Sequence, residues 1–104
     1  MIIVTTTWPT EADAERAALA VVAERLAACA QVTGPIRSVF RWEGKVDRAT
    51  EWYCHLKTTA ERFPALEARL RALHPYDVPE IVAVPLVAGS QAYLAWLHDA
   101  VRDG

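Results

Sequence analysis

Cysteine is scarce: the 104-residue chain has two, Cys29 and Cys54, with no CxxC spacing. That excludes a zinc ribbon, a thioredoxin-type motif and a disulfide scaffold, and a reducing, cytoplasmic setting is expected. Long apolar runs are missing too. The stretches "AALAVVA" and "IVAVPLVAG" are too short to span a bilayer, so no membrane association is expected. The opening "MIIVTTTWP" lacks the basic and apolar regions of a secretory signal. Positive charge is not concentrated in sequence. Eleven Lys and Arg residues lie scattered in a chain of net charge −2, which argues against nucleic acid as a partner. No serine or cysteine stands in an elbow-like context, so the protein is expected not to be an enzyme. Linkers, low-complexity tracts and internal repeats are lacking as well. One domain over residues 1–104 is the expectation, and 53% hydrophobic with 23% charged residues suits a compact core.

What is present reads as alternating elements. "IIVTTT" (2–7) is a β-branched strand. Thr10 and Asp13 form a capping start for a helix running toward Cys29, with Leu19, Val22, Leu26 and Cys29 on one core-facing stripe. In "IRSVFRW", Ile36, Ser38, Phe40 and Trp42 alternate with Arg37, Val39 and Arg41. "EG" (43–44) then turns the chain back through "KVDRATEWYCHLKTT". There Trp52, Cys54 and Leu56 take one face, and Tyr53, His55 and Lys57 the other. This is a long β-hairpin, with a break or bulge at Gly34-Pro35. A second helix, "FPALEARLRALH", buries Phe63, Leu66, Leu70 and Leu73, with Pro64 in its first turn. "IVAVPLV" (81–87) is an apolar strand whose Pro85 argues for an edge or a strand end. Gly89-Ser90 caps a last helix with Tyr93, Leu94, Leu97 and Val101 inward.

The order β-α-β-β-α-β plus one helix predicts an α+β, ferredoxin-like (split βαβ) antiparallel sheet. Two helices cover one face, and an extra helix closes the chain. Each hairpin arm exceeds ten residues, about twice the usual strand length. Its far face, assigned Val39 and Tyr53 among others, is apolar enough to call for self-assembly.

The densest chemistry is "HPYDVPE" (74–80). Two prolines stiffen it and place His74 at the end of the second helix. The loop offers one imidazole and two carboxylates toward a metal, with Cys29 as a distant thiolate. Against that, the helix C-terminus favours imidazolium, whereas ligation needs the neutral ring. A general base, with Asp77 or Glu80 orienting His74, would lack a nucleophile. The third reading is a rigid connector: His74 capping the helix, Tyr76 with its hydroxyl bonded, Glu80 paired with a base. His55 lines an interface or a pocket, and His98 is solvated. Trp42, at the hairpin tip, stacks on a ligand or anchors in a neighbouring subunit. Lys57, at a strand end, holds an anion or pairs with an acid.

The segments "RLAAC" (25–29), "SVFRWEGK" (38–45), "LKTT" (56–59), "LHPYDVPEI" (73–81) and "YLAWL" (93–97) occur in that order. Together they closely resemble the CutA divalent-cation tolerance family over nearly the whole chain. The resemblance implies a ferredoxin-like fold in a homotrimer, with hairpins pairing between subunits, and an architecture similar to the PII signalling trimers. It also implies a role in tolerance of divalent cations, copper especially. Thr6 and Leu73 stand where some members carry cysteine and histidine. The matching cluster is Cys29, Trp42, Lys57, His74, Tyr76 and Glu80. Of these, Cys29, His74 and Glu80 are the candidate metal ligands for copper or another divalent cation. Trp42, Lys57 and Tyr76 are the candidates for a cofactor or anionic ligand in an intersubunit cleft. A PII-like small-molecule sensor and a scaffolding trimer with a protein partner are the competing functions.

Overall fold

The computed structural model describes residues 1–102. Its elements are β1 (Ile2–Trp8), α1 (Glu11–Ala23), β2 (Cys29–Trp42), β3 (Lys45–Thr58), a 3-10 turn (Ala60–Arg62), α2 (Phe63–Leu73), β4 (Ile81–Pro85) and α3 (Gln91–Ala100). The four strands form one sheet in the order β2-β3-β1-β4, every pairing antiparallel. This is the ferredoxin-like arrangement expected from the element order.

Alternation assigns the faces. Val4, Thr6 and Trp8 of β1 lie opposite Leu56, Cys54 and Trp52 of β3, and all but the half-buried Trp52 are fully covered. Leu66 and Leu70 of α2 close that core, with Phe63 and Leu73 packed at its margin. Burying each such aliphatic side chain is worth about 1.5–3 kcal/mol. The buried hydroxyls stay hydrogen-bonded: Thr58 Oγ1 donates to the Leu26 carbonyl (2.7 Å) and Thr6 Oγ1 to that of Cys54 (3.4 Å).

Helix α1 corrects the sequence reading. Its buried residues are Ala14, Ala17 and Val21, whereas Leu19 is 74% exposed and Val22 also faces outward. The small residues form the stripe because they let the helix lie close to the sheet; leucine reads as core only because it is more apolar. The helix also stops well before Cys29. The Leu26 amide donates to the Val21 carbonyl (2.9 Å) and the Arg25 amide to that of Val22 (3.1 Å), with Arg25 at φ 61°. This is a Schellman termination without the glycine that usually announces it. Its start is as expected, with Thr10 accepting from the Asp13 amide at 3.1 Å.

The hairpin has arms of 14 residues each. Glu43 and Gly44 both take positive φ, the combination that matches the twist of a two-residue hairpin turn. The register slips between Thr33 and Ile36. A Cβ on Gly34 would lie 2.3 Å from the Trp52 ring, so only glycine fits at that bulge. The slip also re-phases β2: Val39 lies opposite Arg48 on the helix-side face, while Tyr53 lies on the open face. The two do not share a face, contrary to the sequence reading. β4 ends at Pro85 on the sheet edge, shorter than the apolar run. Leu97 of α3 and Val101 just past its end are buried, but Tyr93 is 40% exposed.

Candidate functional site

His74 is the first residue past α2, and the stiff turn that follows folds its ring back over β1. The ring stacks on buried Trp8 with centroids 4.1 Å apart, and the tilted Tyr76 ring lies 4.7 Å from it. The Tyr76 amide donates to His74 Nδ1 at 3.1 Å. Nδ1 is therefore the acceptor, so Nε2 carries the proton and donates to the Thr7 carbonyl at 2.7 Å. Both nitrogens are used in holding the loop to the end of β1, and no lone pair on the ring is free for a metal. The Tyr76 hydroxyl donates to Glu51 Oε2 at 2.9 Å, and Glu51 is buried at the base of the hairpin. Burial, and then the Glu51 carboxylate, push the Tyr76 phenol up to about 12.

The other end of the sheet holds a separate group. Cys29 lies directly opposite Lys57, and its Sγ is 3.5 Å from the Tyr93 hydroxyl. That hydrogen bond raises the Tyr93 phenol above its ordinary value. Lys57 Nζ donates to Gln31 Oε1 at 2.9 Å, a neutral partner and not an acid. On the open face, His55 sits 3.2 Å from Thr5 Oγ1 beside the Tyr53 ring. Cys54 is fully buried, and burial pushes its thiol up to about 12.

The structure thus divides the candidate residues. The chain of pairs Cys29–Lys57–Ile3 against His74–Thr7 separates the thiol and the imidazole by four residues of β1, roughly 13 Å, and by two strand spacings. Glu80 is exposed and makes no ion pair with any described residue. Among the described residues, no group of three or more His, Cys, Asp or Glu side chains is placed to hold a metal ion. Within one chain, Cys29, His74 and Glu80 do not fit a common cation. Trp42, 52% exposed at the hairpin tip, is twelve residues along β3 from the level of Lys57, on the order of 40 Å away. Trp42, Lys57 and Tyr76 converge on nothing within the chain.

The sequence reading missed two features. One is Glu51, whose burial has no signal in a strand of alternating polar residues. The other is a gathering of arginines. Arg37 and Arg41 flank Val39 on β2, and Arg48 lies opposite Val39 on β3. Basic residues scattered along the sequence become neighbours across the hairpin; the regular spacing of Arg37, Val39 and Arg41 on one strand face was the available signal.

Fold and site together define a ferredoxin-like domain with an overlong hairpin and a proline-pinned loop latched to the hairpin base. Residues 2–100 match the family described as CutA1 divalent ion tolerance protein, and the chain belongs to that family. It is 45% identical over 97 residues to the divalent-cation tolerance protein CutA of Thermus thermophilus, covering 93% of this chain and 94% of that one. A solved structure of the divalent cation tolerance protein from Thermus thermophilus superposes with a TM-score of 0.95 at 44% identity, over 98% of this chain and 100% of that one. Protein CutA of Mus musculus is 40% identical over 97 residues, but the chain spans only 55% of its length.

Proposed function

We propose that the chain is a non-enzymatic, homotrimeric protein of divalent-cation tolerance in a reducing, cytoplasmic setting. Copper or another divalent cation is bound between copies and not within one. The supporting observation is the hairpin. It leaves Val39 72%, Val46 65% and Trp42 52% exposed toward the turn end of its arms. The sheet has two free edges, β2 and β4, which neighbouring copies can pair. Assembly would also bring Trp42 and Tyr76 of other copies to the Cys29–Lys57 pair. In this reading His74 serves the fold, because both of its ring nitrogens are bonded internally.

A calorimetric titration of copper into wild type and His74→Ala, under oxidising and reducing conditions, tests the reading. Binding that survives in a folded, assembled His74→Ala protein is the expected result. Loss of binding in that protein would put the ion on the ring and contradict it.

A second reading is favoured by one observation: the Lys57 ammonium is held by a neutral amide, so its charge is free to meet an anion. A PII-like sensor of an anionic small molecule would then use Lys57, with Trp42 or Tyr76 from another copy stacking on the ligand. Its signature is a melting temperature raised by the anion in the absence of metal.

A further inference from the structure

Two surfaces of this chain complement one another. The first is the helix-side face of the hairpin, where Arg37, Arg41 and Arg48 surround Val39 and Val46. All five are exposed, and none of the arginines is in an ion pair with a described residue. Arg41 reaches only the Gly44 carbonyl at its own turn. No acid shares that face: Asp47 and Glu51 project from the opposite one, with Phe40 and Ile36. The second surface is the outer side of the proline-pinned loop. There Asp77 and Glu80 flank Val78, which is 70% exposed, and neither acid has an ion-pair partner among the described residues. Arg71 lines the same shallow groove as Asp77 without pairing with it.

The two surfaces match in order and in scale. Arginine–valine–arginine spans roughly 13 Å along β2, and acid–valine–proline–acid spans at most about 10 Å. The loop is held in place by the His74 bonds and the Tyr76–Glu51 bond, so little conformational entropy is lost when it docks. Two other acids are less available, since Asp13 pairs with Arg16 and Glu24 with Arg69. Nucleic acid fits poorly: three charges release few counterions, and two exposed valines have no role against phosphate.

Resting on the self-assembly proposed above, we infer that the Asp77–Glu80 hook of one copy docks on the arginine–valine face of a neighbouring copy's hairpin. The contact is heterologous, one surface on each side. Its charges select the partner face and the register, more than they supply raw affinity. The motif "HPYDVPE" thereby acquires a function: its inner residues latch it to the fold, and its outer residues recognise the next copy.

A charge swap followed by sedimentation velocity tests this. Reversal of the face (Arg37→Glu, Arg41→Glu, Arg48→Glu) and reversal of the hook (Asp77→Lys, Glu80→Lys) are each expected to dissociate the assembly while leaving the far-ultraviolet circular dichroism intact. The chain carrying both sets is expected to reassemble. If either reversal alone leaves the mass unchanged, or if the combined chain stays dissociated, the docking is wrong. A wild type that sediments as a monomer would overturn self-assembly itself, a different failure. Should reversal disturb the hairpin, the neutral set Arg37→Gln, Arg41→Gln and Arg48→Gln replaces it. That set should raise the dissociation constant at least tenfold and flatten its salt dependence, and an unchanged constant would refute the contact.

Discussion

His74 shows how a chemically suggestive residue is put to structural use. Its ring contacts both Trp8 and Tyr76 with one nitrogen accepting and one donating. Replacing it by alanine strands the Thr7 carbonyl and the Tyr76 amide and removes the stack on Trp8. One orphaned buried carbonyl, one orphaned part-buried amide and one aromatic contact amount to about 3 kcal/mol, to be read from urea denaturation of His74→Ala. Tyr76 gives a pH signature. Its phenol titrates near 12 in the fold against an ordinary value of 10, so its contribution is complete below pH 10 and is lost as pH rises through 12. The stability gap between wild type and Tyr76→Phe should therefore narrow over that window. Cys54 loses stability over a similar range but does so in both proteins, which isolates Tyr76. The position of His74 at the helix end was legible from Pro75. Its partners were not, because Thr7 and Trp8 lie more than half the chain away in sequence.

At the scale of elements, the hairpin and α2 were legible because their periods are clean: two for the strands, and leucines three to four apart for the helix. Helix α1 was less so. In an alanine-rich helix the buried stripe is the one whose size fits the gap, and Ala14, Ala17 and Val21 carry weaker signals than Leu19. Its end was hidden for a related reason, since Arg25 occupies a left-handed position where glycine is usual. An L-residue there costs roughly 1 kcal/mol. Arg25→Gly is expected to recover about 0.5–1 kcal/mol, seen as a raised urea midpoint with unchanged slope; a lowered midpoint would show that the arginine side chain contributes more than its backbone costs. The bulge explains the remaining miss. A one-residue change of phase at Gly34-Pro35 moves every later β2 side chain to the opposite face. Its presence was visible in the sequence, but its effect on Val39 was not.

For the whole molecule, shape carries the argument. The radius of gyration is 14.3 Å, with extents of 44 × 26 × 21 Å, whereas a compact chain of this size has a radius of about 13 Å. The excess is the hairpin, which projects beyond the helices with exposed valines, aromatic residues and arginines. A single copy leaves that arm, two sheet edges, the Cys29–Lys57 pair, Trp42 and Tyr76 without a shared purpose; the proposed assembly would give them one. In the proposed reading, the family role in divalent-cation tolerance is expressed by the assembly, with the loop at 74–80 as one of its joints. Sedimentation equilibrium of the wild-type chain from nanomolar to micromolar concentration tests this most directly. A single species with the mass of three chains is expected throughout the micromolar range, whereas a monomer at those concentrations would rule out the trimer.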